Sequence, residues 1–233
     1  MSDFAKMQKR LSPKDLVETR MAAPDYLHFV CAPGRALEII AELDALGWSK
    51  TKLVYEPIPD LCVPREMPAL RQVLPRIDYF SPNHEEAGTF FGIKVEDQSE
   101  EDRIKTIESL AQRFLDEGAK STVIVRSGKL GAYMKQREGS SKLEKGIWQE
   151  PYYRSAGDKL VDVTGCGNAY LGGLIAGLSK EDGDVEKASI YGSVASSYIL
   201  EQYGLPSLGK DGIWNGRDRP SERLEELRAR LGL

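Results

Sequence analysis

Val161-Asp162-Val163-Thr164-Gly165-Cys166-Gly167-Asn168-Ala169-Tyr170-Leu171-Gly172-Gly173 is the stretch on which the reading of this chain turns. Its first residues suit the end of a strand. Residues 169–178 read as a helix with small residues on one side. Between them lies a glycine-rich corner. The start of a helix carries unpaired N–H groups and the positive end of a dipole, so it attracts anions. Glycine at 165 and 167 lets a phosphate approach bare backbone. The physical reading is an anion cradle at a strand-to-helix corner, with Asn168 facing it. The plainer alternative is a tight turn with no ligand. In that case Thr164 acts as a cap-like oxygen, and Gly172, Gly173, Ala176 and Gly177 serve only to let the helix pack close to the sheet.

Two common phosphate motifs are excluded at this corner. A dinucleotide fingerprint needs glycine three residues after Gly167, where Tyr170 stands. A P-loop needs Gly-Lys-Ser/Thr, but Gly128-Lys129 is followed by Leu130, and Val123 occupies the place of its first glycine.

Working outward, the chain alternates. Residues 26–31, 51–55, 77–80 and 122–126 are compact apolar or β-branched runs that read as buried strands, and residues 132–135 read as a returning strand. Residues 36–46, 67–74, 83–91, 100–117 and 185–203 read as helices. Residues 104, 107, 110, 111 and 114 form one apolar face. Residues 138–145 read as a polar hairpin tip, and residues 221–231 as a charged tail helix with a solvated face. Strands separated by helices predict α/β layering with a mainly parallel sheet, whose ligands bind beyond the carboxyl ends of the strands. Three segments fall at those ends and so share one rim: Ser81-Pro82-Asn83-His84-Glu85-Glu86, Arg126-Ser127-Gly128-Lys129-Leu130-Gly131, and the stretch quoted first. The domain reading is a polar arm at 1–25, a nucleotide-binding core at 26–208 and the tail at 209–233.

Composition bounds the function. With 233 residues and a net charge of -4, the chain offers one substantial core and no electrostatic footprint for nucleic acid or an anionic membrane surface. No apolar run reaches the length of a membrane span, and the first twenty residues lack the apolar segment of a secretory signal. Cys31, Cys62 and Cys166 are odd in number and far apart, which fits a reducing compartment, read as the cytoplasm. Two histidines leave little material for a zinc site or a Ser-His-Asp triad.

Asp162, Thr164, Gly165, Gly167, Ala169 and Gly173, with Tyr170 for an aromatic position, resemble the carboxy-terminal signature of the PfkB/ribokinase family, Asp-x-Thr-Gly-Ala-Gly-Asp-x-Phe-x-x-Gly. Asn83 through Glu86, with Ala87 and Gly92, resemble its Asn-x-x-Glu motif. Glu56-Pro57 resembles its strand-end segment. Arg126-Ser127-Gly128 with Gly131 resembles its Thr-x-Gly-x-x-Gly nucleotide loop, and residues 195–204 resemble the late helix of its adenine pocket. The resemblance implies a ribokinase-like three-layer α/β/α fold and transfer of the γ-phosphoryl group of ATP to a sugar or nucleoside hydroxyl. It implies an anion hole at Gly165, Cys166 and Gly167 with Asp162 beside it, and ATP contacts at Arg126, Gly128, Gly131, Thr164 and Ser193. It also implies magnesium near Asn83 and Glu86. The residues by themselves favour a plain helix cap at Asn83–Glu86 and also suit a plain hairpin at Gly128–Gly131.

Two departures follow from the same comparison. Asn168 stands where the family has its general base, and an amide cannot take a proton at neutral pH. A fungal side-branch with Gly-x-Gly-Asn is the branch this chain resembles. The pattern is also entered partway through, so the expected sheet is incomplete on its amino-terminal side, without the lid and the acceptor floor. That predicts weak or degenerate transfer, or a nucleotide-binding or partner-binding descendant, with a homodimer as one way to cover exposed edges.

Overall fold

A computed structural model describes residues 11–138, 141–155 and 157–233. Four parallel strands, β1 (Tyr26–Cys31), β2 (Lys52–Pro57), β3 (Tyr79–Phe80) and β4 (Thr122–Arg126), lie side by side in chain order. β5 (Ala132–Gln136) and β6 (Ile147–Gln149) then continue the sheet antiparallel. Strand side chains alternate between faces, so one sheet has two cores. Leu53, Tyr55, Val123, Val125 and Tyr133 point into one core with α1 (Pro33–Ala45), α2 (Met67–Val73), α3 (His84–Phe90) and α4 (Glu100–Asp116). Val54, Tyr79, Ile124, Ala132 and Met134 point into the other, under α6 (Cys166–Lys180) and α7 (Val185–Leu200). The alternation predicts the α/β layering with a mainly parallel sheet, and the three-layer α/β/α arrangement is the one the resemblance implies.

Local chemistry sets the element ends. α4 starts where the Ser99 side chain accepts from the Asp102 N–H, and its expected stripe buries Ile107, Leu110, Ala111 and Phe114. β4 is five residues long with four of them buried, as a β-branched run between two layers should be.

Four expectations need correction. Residues 141–145 of the supposed hairpin tip form a short helix, α5 (Ser141–Lys145), with Leu143 buried in the second core, and β6 follows it. Residues 139 and 140 of that segment lie outside the described residues. Residues 160–164 are not a strand end. Val161 and Val163 are exposed, and the Val161 and Asp162 N–H groups donate to the Leu200 carbonyl at the end of α7 instead of to a neighbouring strand. Of the small residues of α6, Gly173 and Gly177 serve a helix contact and not the sheet, while Gly172 and Ala176 are exposed: a Cβ at Gly173 would lie 2.4 Å from the Tyr191 carbonyl oxygen on α7, and one at Gly177 2.6 Å from the Ala188 Cα. The tail helix, α8 (Pro220–Leu231), is not merely solvated, because Arg223 and Leu227 are buried against α7. Of the amino-terminal arm, residues 1–10 lie outside the described residues, and Pro13–Leu16 forms a single 3₁₀ turn. No helix among the described residues is long and apolar enough to cross a membrane.

Candidate functional site

The carboxyl ends of β2, β3 and β4 bring four side chains together. Glu56 comes from the end of β2, Asn83 and Glu86 from the start of α3, and Arg126 from the last position of β4. Arg126 Nη2 donates to Glu56 Oε1 at 2.7 Å and to the Ser81 carbonyl at 3.1 Å, and it lies 3.6 Å from Glu86 Oε2. His28 Nε2, on β1, lies 3.3 Å from Glu56 Oε2. Asn83 and Glu86 are a reciprocal cap. Asn83 N–H donates to Glu86 Oε2 and Asn83 Nδ2 to Glu86 Oε1, both at 2.7 Å, while Asn83 Oδ1 accepts from the Glu86 N–H at 2.8 Å.

The two carboxylates respond oppositely to this setting. Burial pushes the Glu56 carboxyl up, but its bond to His28 and the Arg126 charge pull it below its ordinary value. Glu86 is pushed up to about 7, chiefly by burial, against the pull of the Asn83 N–H and Arg126. A carboxyl raised in the fold binds its proton more tightly folded than unfolded. Its contribution to stability is therefore complete below 4.5 and lost as pH rises through about 7. The expected loss across that window is about 3 kcal/mol, and Glu86→Gln should remove it. Urea denaturation of both chains at pH 5 and pH 8 checks this; parallel stability profiles would refute it.

The first turn of α6 closes the site. Gly165 is its cap residue at φ 87, a left-handed conformation that a side chain disfavours. Asp162 Oδ1 accepts from the Thr164 N–H at 2.9 Å, which holds the Asp162 carboxyl below its ordinary value. The Cys166 N–H is taken by the Val163 carbonyl, and the first helical bond runs from Ala169 N–H to the Gly165 carbonyl. The Gly167 and Asn168 N–H groups therefore precede the helical ladder and have no partner within it. A Cβ at Gly167 would lie 2.0 Å from Arg126 Nη1 and 3.2 Å from Glu56 Oε1, so glycine is what lets the guanidinium pack against this turn. Asn168 is exposed. The Cys166 thiol is pushed up to about 11 by burial and is no nucleophile near neutral pH.

The structure thus unites Gly165, Gly167, Arg126, Asn83 and Glu86, with Asp162 and Thr164 shaping the turn. Gly128 and Gly131 belong to the β4–β5 hairpin, where Gly131 sits against the Gln149 carbonyl. Ser193 is buried on α7, with its hydroxyl donated to the Glu150 carbonyl at 3.3 Å. Sequence reasoning left Glu56 and His28 out of the site. For Glu56 the signal was present, as a carboxylate in the strand-end Glu-Pro pair; for His28 there was none.

The expectation of magnesium at Asn83 and Glu86 does not fit these residues. Both Glu86 oxygens accept from Asn83, Asn83 Oδ1 is engaged, Glu56 Oε1 is held by Arg126 and Glu56 Oε2 faces His28. Glu56 Oε2 is buried without a hydrogen-bond partner, but the Arg126 guanidinium and not an open space lies between the two carboxyl groups, so an ion that demands near-octahedral oxygen coordination would have to displace it.

One turn further along α6 lies an apolar cavity of about 340 Å³. Ala169 and Gly173 line it from α6, Val194, Ala195 and Tyr198 from α7, and Trp214 from the segment before α8.

An α/β/α sandwich with a helix-start corner at the rim of its parallel strands is the setting in which the comparisons with known proteins fall. Residues 22–208 match the pfkB family carbohydrate kinase, and the chain belongs to that family. The uncharacterized protein C16C9.01c of Schizosaccharomyces pombe is 27% identical over 238 residues, covering 96% of this chain and 65% of that protein. Protein MAK32 of Saccharomyces cerevisiae is 31% identical over 199 residues, covering 81% of this chain and 53% of that protein. The structure of Arabidopsis thaliana ribokinase complexed with ribose and ATP superposes with a TM-score of 0.59 at 16% identity, over 96% of this chain and 61% of that one. The fold is therefore ribokinase-like, and the chain spans between about half and two thirds of these relatives' lengths.

Proposed function

We propose that this chain binds ATP, with its phosphates at the first turn of α6 and its base in the cavity between α6 and α7. We further propose that it passes the γ-phosphoryl group slowly to a sugar-type or nucleoside hydroxyl. In that step a bond forms between the hydroxyl oxygen and the γ-phosphorus, the bond to ADP breaks, and the hydroxyl proton goes to solvent because Asn168 cannot accept it. The observation that carries the reading is the pair of unpaired N–H groups at Gly167 and Asn168, beside the Arg126 guanidinium. Asp162 and Thr164 hold that turn in shape, Cys166 contributes backbone to it, and Gly128 and Gly131 shape the adjoining hairpin. The free thiols of Cys31, Cys62 and Cys166 support a cytoplasmic setting. The edge of β1, unpaired among the described residues, would admit a second copy, which light scattering reads.

Asn168 favours a second reading, a nucleotide-binding or partner-binding descendant without turnover. Thermal denaturation with ATP, run beside ADP release over a panel of sugars and nucleosides, separates the two. At a hundredfold excess over Kd the expected stabilisation is about 2.7 kcal/mol, and Ala195→Trp, which fills the cavity, should abolish it. Stabilisation with phosphorylated product supports transfer. Stabilisation alone supports the second reading, and neither effect removes both.

A further inference from the structure

The rim carries two acidic side chains, and one residue fills the gap between them. Arg126 Nη2 lies 2.7 Å from Glu56 Oε1 and 3.6 Å from Glu86 Oε2, so the guanidinium occupies the gap between the two carboxyl groups. A divalent ion bridging the same carboxyl groups would need that gap. It would also face the repulsion of the guanidinium cation. The guanidinium is not saturated. Nη2 is engaged by Glu56 and Ser81, and Nε is buried with no hydrogen-bond partner among the described residues. Nη1 lies against the backbone of Gly167, next to the open N–H groups of α6. A planar, permanently charged donor beside backbone N–H groups is the chemistry that recognises phosphate oxygens.

We propose that Arg126 is the resident cation of this rim, standing where a divalent ion would be needed, so that nucleotide phosphates bind beside Gly167 without a metal. The nucleotide part rests on the function proposed above; the exclusion of a metal does not.

Two measurements on the full chain test the two parts. The first is a manganese titration followed by electron paramagnetic resonance without nucleotide. It is run in a Glu96→Gln background, because His84 and Glu85, beside the rim residues in the chain, offer ligand atoms with Glu96 within 4.8 Å of one another. The Arg126 chain should bind no manganese at the rim. Arg126→Met should gain a manganese site that added Glu86→Gln removes, and Arg126→Lys, which keeps the charge, should gain none. Circular dichroism verifies the fold of each variant. Manganese bound by the Arg126 chain and lost with Glu86→Gln overturns the proposal, as does a folded Arg126→Met chain that gains no site.

The second is calorimetry of ATP binding in EDTA and in magnesium. Affinities agreeing within about twofold support the proposal, and a loss of about tenfold or more in EDTA overturns it. Absence of ATP binding in both buffers refutes the proposed function, while the manganese titration still judges the exclusion of a metal.

Discussion

Arg223→Met should lower the stability of the fold by about 3–5 kcal/mol, the cost of removing one partner from a buried ion pair. The Arg223 side chain is 2% exposed and that of Glu201 is 1% exposed. Arg223 Nη2 lies 2.8 Å from Glu201 Oε1, Nε lies 2.8 Å from Asp218 Oδ1, and Nη1 donates to Ser197 Oγ at 2.7 Å. The guanidinium carbon sits 3.8 Å from the centroid of the Tyr198 ring, with the rings of Tyr152 and Tyr153 also within reach. Burial pushes the Asp218 carboxyl up, but its bonds to Arg223 and Tyr198 hold it below its ordinary value. Without Arg223, the Glu201 carboxylate keeps only Arg217 as a cation among the described residues, at 3.5 Å. Arg223→Lys should rescue little, because one ammonium cannot serve three acceptors in fork geometry. The double variant Arg223→Met with Glu201→Met should recover much of the loss, since it removes the stranded charge as well. Urea denaturation measures all three. A loss below about 1 kcal/mol for Arg223→Met would place this pair with exposed ones and refute the argument.

Arg223 also shows where the sequence stops informing. Arg223, Arg228 and Arg230 look alike in a charged amphipathic tail, and nothing local says that Arg223 alone is fully enclosed. Its partners Ser197 and Glu201 lie on or next to another helix, more than twenty residues away. Local rules did better where the physics is local. The Thr122–Arg126 strand has the bounds its β-branched run predicts, and the α4 stripe buries four of its five expected residues, with Ile104 half-buried. The glycine corner was legible for the same reason, because positive φ at Gly165 is a demand of the backbone itself. Arg126 was legible only by resemblance, as an ATP contact in the nucleotide loop. That its guanidinium turns across the rim to Glu56, seventy positions earlier, depends on strand order, which composition and periodicity do not encode. The β6 strand was missed because three residues give too short a period to read.

Asn168→Asp should raise phosphoryl transfer by about 10² to 10⁴, the usual contribution of a general base. Asn168 is exposed in the first turn of α6, so the change replaces an amide by a carboxyl of the same shape without disturbing the core. An acid in the first turn is favoured by the helix dipole by about 0.3–1 kcal/mol, so the fold should gain slightly. The same dipole keeps the new carboxylate ionised near neutral pH and ready to accept the hydroxyl proton. A second consequence opposes the first. The added negative charge stands near the N–H groups proposed to hold phosphate, so ATP should bind less tightly as turnover rises. The signature is therefore a higher kcat with a higher KM, which a stability effect alone would not give. Release of ADP with the acceptor panel, run beside thermal stabilisation by ATP, reads both quantities. If both chains bind ATP and neither transfers phosphate, a missing base is not what limits this chain. The open first turn of α6, with Arg126 beside it, would then serve binding alone.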